Sequence, residues 1–308
     1  MLDFGKRIER MRLAQKISRQ EFCGDESELS VRQLIRIERG ESRPTLTKLK
    51  YIANRLGIED FKLMPDYVEL EKDYLQLKYY LMRTPTYEDE NIAKEKEKEK
   101  VFDKIFDEYY DDLPEEERII IDILQAYDDF GLQNDDSNLE MILQDYFTQI
   151  LLKTEYEVNE LLIIKLFLLR LVHPNTLLDE KEKHKCTIIA NNILQQLDKF
   201  DLDYVFIVRD SLLLLLGIFE KMSDYTRFEK ILQELNDLTS KTYDYQKKPI
   251  IRIWEWRYAL FSKQNYQMAE NFFQEAKIFA KMINNSYLIE QIEKQWQSDL
   301  QDYFKNKN

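Results

Sequence analysis

Four arginines lie within one short segment of a chain whose formal net charge is −13. The segment 30–44 reads SVRQLIRIERGESRP and contains Arg32, Arg36, Arg39 and Arg43. Guanidinium groups bind the O6 and N7 atoms of guanine in pairs and form charge-assisted hydrogen bonds with phosphates. The first three arginines are four and three residues apart, so on a helix they project from one face. This pattern predicts nucleic-acid binding, and the alternative is a solvated arginine face.

The charge of the chain is divided unevenly along its length. Residues 1–57 contain 13 Lys and Arg against 8 Asp and Glu, a charge of +5, whereas the remaining residues contain 32 and 50, a charge of −18. A small basic head on a large acidic body is the electrostatic pattern of a nucleic-acid-binding module joined to a second domain.

Helix start and stop signals divide the head into short helices. Ser18, followed by Glu21 at the third position, predicts a capping box for a second helix, and Ser30 caps a third helix over 31–39 that ends at Gly40. A fourth helix is predicted from apolar residues at helical spacing, which are Leu46, Leu49, Ile52, Ala53 and Leu56. Two short helices joined by a tight turn predict a helix-turn-helix, whose third helix enters the major groove.

The composition predicts an all-α fold and gives no sign of an enzyme. Gly and Pro number only 6 each, although turns between strands need them. Cys23, Cys186, His173 and His184 form no metal-binding spacing, and no phosphate loop or nucleophile elbow occurs. We therefore expect no cofactor, no metal and two structural thiols. The apolar runs are too short or too often interrupted by charge to span a bilayer, and a cytoplasmic protein is expected.

The acidic body reads as one amphipathic helix after another. The predicted segments are 66–83, 92–111, 115–131, 138–152, 157–172, 180–198, 203–220, 224–241, 247–262, 266–283 and 287–304. Successive antiparallel pairs of this length indicate a tetratricopeptide-like repeat array. The best repeat match is Tyr266, Ala269, Phe273 and Ala276, where small residues allow helices to approach. A plain helical bundle is the alternative.

A repeat array of this kind has a concave surface suited to a peptide. Candidate peptide-binding residues are polar or aromatic side chains that interrupt apolar faces: Lys165, Arg170, Asn191, Asn192, Arg209, Arg252, Trp254 and Arg257. Amides pair with peptide backbone, and a cation pairs with a terminal carboxylate. Each residue taken singly is more often structural.

The head resembles the XRE, or phage-repressor, type of DNA-binding domain over residues 3–57. The resemblance lies in GKRIERMR, ISRQEF and SVRQLIRIERGESRPTLTKLKYIANRLG. It implies that Arg19 contacts phosphate, that Arg12 pairs with Glu38, and that the start of helix three reads bases. With the further arginines of that segment, the candidate DNA contacts are Arg19, Ser30, Val31, Arg32, Gln33, Arg36, Arg39 and Arg43.

The whole chain resembles the Rgg-type quorum-sensing regulators of the RRNPP group, especially the ComR competence regulators. The segments VRQLIRIERGES, PDYVELEKDYLQLKYYLMRTPTYEDENI and DDLPEEERIIIDIL carry this resemblance. It implies a transcription factor with a DNA-binding domain at 1–64 and a tetratricopeptide-like domain at 65–308. Such a protein binds a short hydrophobic signalling peptide and then dimerises on a palindromic promoter.

The acidic segment 107–117, DEYYDDLPEEE, suggests how the head is controlled. We expect Glu115, Glu116 and Glu117 or their neighbours to hold Arg32 and Arg36 until peptide binding releases them. The alternative is a solvated acidic loop. For the whole protein, the alternatives are a phage-type repressor whose body only dimerises, an enzyme with a regulatory head, and a repeat scaffold that does not bind DNA.

Overall fold

The computed structural model describes residues 2–58, 70–84, 91–133, 136–174, 176–200 and 202–305. All regular secondary structure within these ranges is helical, which confirms the all-α prediction. Within the same ranges no helix is long and apolar enough to cross a membrane. The predicted division at residue 64 falls outside the described residues.

Fifteen α-helices form the described part of the chain, joined by short turns and single 3₁₀ turns. They are α1 Leu2–Ala14, α2 Arg19–Cys23, α3 Val31–Glu38, α4 Leu46–Leu56, α5 Lys72–Arg83, α6 Asn91–Glu108, α7 Glu115–Gln133, α8 Ser137–Ile150, α9 Val158–Val172, α10 Glu180–Gln195, α11 Val205–Lys221, α12 Phe228–Thr242, α13 Lys248–Arg257, α14 Tyr266–Met282 and α15 Ser286–Lys305. A single π-helical turn, Tyr258–Ser262, continues α13. Most helices of the body begin and end within a few residues of the predicted segments, but α5 begins at Lys72, and the predicted start at residue 66 falls outside the described residues.

The helices fall into two compact units. The first unit comprises residues 1–85 and 93–166, and the second comprises 86–92 and 167–308. The head, α1–α4, therefore belongs to the same compact unit as α5–α8 and most of α9.

The predicted helix starts of the head are confirmed by their hydrogen bonds. Ser18 accepts from the backbone N–H of Glu21, whose carboxylate accepts from the N–H of Ser18. Ser30 forms a second capping box with Gln33. Gly40, just after α3, has φ of +72°, the left-handed conformation that glycine adopts at helix ends without strain.

The core of the head is formed by the apolar faces of its four helices. Ile8, Phe22, Leu34 and Ile37 are all fully buried. The predicted fourth helix is present as α4, and its residue Leu46 is 52% exposed. It is the first residue of the helix, one turn before the buried stripe begins.

The C-terminal part of the second unit is held by aromatic packing between α13, α14 and α15. Ala269 and Ala276 are fully buried, as expected for positions where helices approach closely. Beside them, Phe273 stacks on Trp296 with ring centroids 4.7 Å apart. The Nε1 of Trp256 donates to Asp299 at 2.7 Å, so the polar end of this buried indole is satisfied.

Candidate nucleic-acid interface

The arginines of α3 differ in their exposure to solvent. The side chains of Arg32 and Arg39 are 60% and 67% exposed, whereas Arg36 is half-buried. Arg39 pairs with Glu41, at 3.7 Å. The face that was predicted to enter a groove is therefore partly covered.

Helix α8 packs against this face of α3. Arg32 forms an ion pair with Asp145, and Nη1 of Arg36 donates a hydrogen bond of 3.3 Å to the hydroxyl of Tyr146. Gln149 lies one turn after Asp145, so all three α8 residues share one face of their helix. These contacts engage the guanidinium groups of Arg32 and Arg36, so a DNA duplex has to compete with α8 for them.

Gln149 connects this contact to the turn before α3. Its Nε2 donates to the carbonyl oxygen of Glu26 at 2.6 Å, and its Oε1 accepts from Nε2 of Gln33 at 3.2 Å. Glu26 has φ of +64°, and its carboxylate accepts from the N–H of Val31 at 3.1 Å. The acidic turn between α2 and α3 is thus a contact site for α8.

The electrostatic surroundings of Arg36 favour its charged form. Burial opposes the charge, but Tyr146, Glu115 and Asp145 together raise the pKa of Arg36 above its ordinary value. Burial also raises the pKa of Asp145, against the opposing effect of Arg32 and Arg36. Acidic and phenolic groups of the body therefore surround a guanidinium that DNA phosphates would otherwise attract.

A second contact joins the end of the head segment to the start of α7. Arg43 donates to the carbonyl oxygen of Asp112 at 3.2 Å. Ser42 donates to the carboxylate of Glu115 at 3.3 Å, and the ammonium of Lys48 lies 3.9 Å from the same carboxylate. Glu115 is only 1% exposed, so this contact is a buried one.

The three acids expected to hold Arg32 and Arg36 occupy different places. Among the described residues none of them forms an ion pair with either arginine; Arg32 pairs with Asp145 of α8 instead, and Glu115 acts on Arg36 only by raising its pKa. Glu117 pairs with Lys78 at 2.7 Å and accepts from the hydroxyl of Tyr74 at 2.6 Å. Glu115 reaches the turn after α3 as described above. Burial raises the pKa of Glu116, whose backbone carbonyl accepts from Asn159 of α9 at 3.3 Å.

Arg19 is held at the start of α2 by two carboxylates. Its Nε donates to Glu38 at 2.7 Å and its Nη2 to Glu9 at 3.0 Å. Glu38 also accepts from Arg12 at 2.7 Å, so the pair implied by the resemblance is present. Glu38 therefore fixes the position of Arg19 relative to α3.

The candidate peptide-binding cations of the second unit are engaged in ion pairs. Arg209, 4% exposed, donates to Asp244 at 2.8 Å and Asp210 at 3.1 Å. The other pairs are Arg170 with Glu182 at 3.1 Å, Arg252 with Glu255 and with Glu275 at 2.7 Å, and Arg257 with Glu220 at 2.9 Å and with Asp299 at 2.5 Å.

The remaining candidates have other surroundings. Trp254 is half-buried and packs edge-on against Phe228. Asn191 is exposed and Asn192 half-buried. In the first unit, the ammonium of Lys165 lies 5.0 Å from the ring centroid of Tyr127.

Sequence reasoning missed Asp145, Tyr146 and Gln149 as partners of the basic helix. Their segment, EMILQDYFTQI, reads as an ordinary amphipathic helix. The one available signal is that Asp145 and Gln149 lie on the same helix side as a tyrosine, which is common on any helix. Only the packing of α8 against α3 identifies them.

Comparison with known proteins assigns the fold to a family. The ComR tetratricopeptide family model matches residues 72–296, and a helix-turn-helix model matches residues 8–63. No match was found among curated proteins.

Three solved structures illustrate the similarity. ComR from Streptococcus suis is 38% identical, with 96% of this chain and 95% of that chain covered and a TM-score of 0.74. The apo form of ComR from Streptococcus thermophilus is 29% identical, with coverages of 97% and 99% and a TM-score of 0.82. The same protein in complex with DNA and its signalling peptide ComS has the same identity, coverages of 96% and 99%, and a TM-score of 0.65. The chain described here belongs to the ComR family.

Proposed function

We propose that this protein is a transcriptional regulator that responds to a peptide pheromone. Its helix-turn-helix head, 1–64, binds promoter DNA, and its tetratricopeptide-like domain, 65–308, binds a short hydrophobic signalling peptide. The active form is a homodimer on a palindromic site, and its place of action is the cytoplasm. The alternative is a repressor whose body only dimerises. It gives no ligand-binding role to residues 72–296, which match the ComR tetratricopeptide family model.

The observation that carries this proposal is the contact between α3 and α8. Arg32, Gln33 and Arg36 are the residues predicted to reach base edges, and each is engaged by a side chain of α8. The DNA-binding residues of α3 are engaged by α8 of the same chain. DNA binding therefore requires a signal that breaks the contacts between α3 and α8. Peptide binding supplies that signal if the peptide binds the released conformation more tightly than the occupied one.

The similarity to solved ComR structures supports an occupied, peptide-free conformation. Both structures from Streptococcus thermophilus are 29% identical to this chain. The TM-score is 0.82 with the apo form and 0.65 with the complex with DNA and ComS.

The proposal is tested by fluorescence anisotropy with labelled DNA from the promoters beside the gene, with and without synthetic peptides encoded there. We expect a sequence-preferring, salt-dependent complex that forms only when one of the peptides is added. Absence of binding to every fragment at low salt with every peptide would refute the proposal.

The base-reading role of Arg32 is tested in the same assay. Replacing Arg32 by Ala should cost about 1–3 kcal/mol on the cognate site. The loss on mismatched DNA should be smaller, because a base contact acts on one sequence only. An equal loss on all sequences would make Arg32 a phosphate contact.

A further inference from the structure

Arg209 and Lys248 are buried among the described residues of the second unit, and they have different partners. Arg209 is paired with two carboxylates, as described above. Lys248, at the start of α13, is 7% exposed, and no carboxylate of the described residues lies within 4.0 Å of its ammonium. Its one hydrogen bond runs to Oδ1 of Asn236 on α12.

The geometry of Asn236 fixes this arrangement. The amide nitrogen donates to the carbonyl oxygen of Leu232 at 2.8 Å and to Oε1 of Glu255 at 2.8 Å. Both amide hydrogens are therefore used, and the amide oxygen must face Lys248. An ammonium has three N–H donors, so two donors of Lys248 remain for another acceptor.

The nearby glutamates do not neutralise Lys248. Glu255 and Glu275 are both bound by Arg252. Burial lowers the pKa of Lys248, Arg252 lowers it further, and the two glutamates only partly oppose this. A buried charge without a charged partner is costly, and such groups are concentrated at binding sites.

The surroundings of Lys248 also indicate the kind of anion. The ammonium lies 6.0 Å from the ring centroid of Phe279, which stacks on the exposed Tyr245 with centroids 6.0 Å apart. An apolar wall of this kind suits a carboxylate attached to an apolar residue. A doubly charged phosphate would be repelled by Glu255 and Glu275, whereas a single carboxylate meets less repulsion and has two oxygens for the two remaining donors.

We propose that Lys248, with Asn236 behind it, binds the C-terminal carboxylate of the signalling peptide at the surface between α12, α13 and α14. This inference rests on the proposed function and assigns the anchoring charge to a residue other than Arg170, Arg209, Arg252 and Arg257, whose guanidinium groups are paired within the chain. The ligand class is a short peptide with an apolar C-terminal residue and an unblocked carboxylate.

The test uses the full-length protein and the synthetic peptides encoded beside the gene. Each peptide is made with a free carboxylate and with a C-terminal amide, and binding is measured by isothermal titration calorimetry. Amidation should weaken binding to the unaltered protein about 10- to 100-fold, as expected for loss of a charge-assisted hydrogen bond. Lys248→Met should weaken binding of the free peptide by the same factor, and amidation should then have no further effect.

Two further variants serve as controls. Lys230→Met makes the same change at an exposed lysine of α12 and should leave both affinities unaltered. Lys248→Arg keeps the charge and should retain part of the preference for the free carboxylate. Circular dichroism verifies that each variant is folded. If Lys248→Met does not fold, Lys248→Arg and the comparison of free with amidated peptides still test whether Lys248 binds the carboxylate.

The possible outcomes separate this inference from the proposed function. Equal affinity for free and amidated peptides would overturn the carboxylate site and leave a peptide-binding regulator. Additive effects of amidation and Lys248→Met would place the carboxylate elsewhere. If no peptide binds the unaltered protein, the carboxylate site and the peptide-sensing part of the proposed function both fail, while DNA binding is judged by the anisotropy assay.

Discussion

The guanidinium of Arg36 on α3 donates a hydrogen bond of 3.3 Å to the hydroxyl of Tyr146 on α8. Tyr146 is buried, and burial raises its pKa, so the phenol stays protonated at neutral pH. The hydroxyl therefore accepts from Arg36 as a neutral group, beside the ion pair of Arg32 with Asp145. These two contacts link α3, the helix predicted to read DNA, to the body.

Weakening this link should allow DNA binding without peptide. The ion pair, in which Arg32 is exposed, contributes about 0.2–1 kcal/mol, and the hydrogen bond about 0.5–1.5 kcal/mol. Asp145→Asn combined with Tyr146→Phe should therefore raise peptide-free affinity for cognate DNA about three- to seventy-fold, measured by anisotropy. Gln144→Ala, on the exposed side of α8, is the control. Peptide dependence equal to that of the unaltered protein would exclude the α8 contact as the lock.

We expect Glu115 and Glu117, at the start of α7, to have different roles, Glu115 in restraining the head and Glu117 in stability. Glu115→Gln weakens the contacts with Ser42 and Lys48 and should raise peptide-free DNA binding a few-fold. Glu117→Gln leaves Lys78 without its carboxylate, so it should lower the free energy of unfolding by about 3–5 kcal/mol. Urea unfolding and DNA anisotropy measure the two effects. If Glu115→Gln leaves peptide dependence unaltered, Glu115 has no part in the lock.

Gly5 should be intolerant of a side chain because α1 approaches the end of α3 closely. A Cβ atom at this position would lie 2.2 Å from the carbonyl oxygen of Ile37 and 2.7 Å from that of Glu38. These are backbone atoms, so Gly5→Ala should destabilise the protein by about 1–3 kcal/mol or more. Gly131, in α7, has nothing within 4 Å of such an atom, and Gly131→Ala should be stabilising by about 0.5–1 kcal/mol. Thermal unfolding compares the two.

We expect Arg209 to contribute to the stability of the folded protein rather than to contact the peptide. Arg209→Met would leave Asp244 and Asp210 without their shared cation. We expect a loss of about 3–5 kcal/mol in the free energy of unfolding, because the arginine is buried. Lys230→Met is the exposed control for urea unfolding. A stability equal to that of the unaltered protein, with peptide binding lost, would restore Arg209 as a ligand contact.

Lys248 should give stability a distinct pH dependence. Burial lowers its pKa in the folded chain, whereas the unfolded value is about 10.4. Between these two values the unfolded chain binds more protons than the folded chain, so the lysine's contribution to the free energy of unfolding rises with pH. Relative to Lys248→Met, the unaltered protein should gain stability as the pH rises through the lowered pKa of the folded state towards about 10. Urea unfolding of both proteins across this range measures the difference, and a difference that does not vary with pH would contradict the lowered pKa.

Local signals in the sequence predicted much of the head. Ser18, Glu21 and Ser30 lie at helix starts because capping depends on residues within one turn of each other. The bounds of the body helices followed from apolar periodicity for the same reason. The partners of Arg32 and Arg36 were not predictable in this way, since Asp145 and Tyr146 lie more than 100 residues further along the chain.

The sequence by itself determined the helical fold class, the basic head on an acidic body, and the face of α3 that is suited to DNA. These properties depend on residue type, charge and spacing over short distances. The tertiary structure decided that α8 partly covers this face, that the candidate arginines of the second unit already have carboxylate partners, and that no carboxylate of the described residues lies within 4.0 Å of the Lys248 ammonium. Such pairings are set by which helix surfaces pack together, because an ion pair or hydrogen bond requires atoms within about 4 Å, and spacing along the chain does not specify that distance between remote segments.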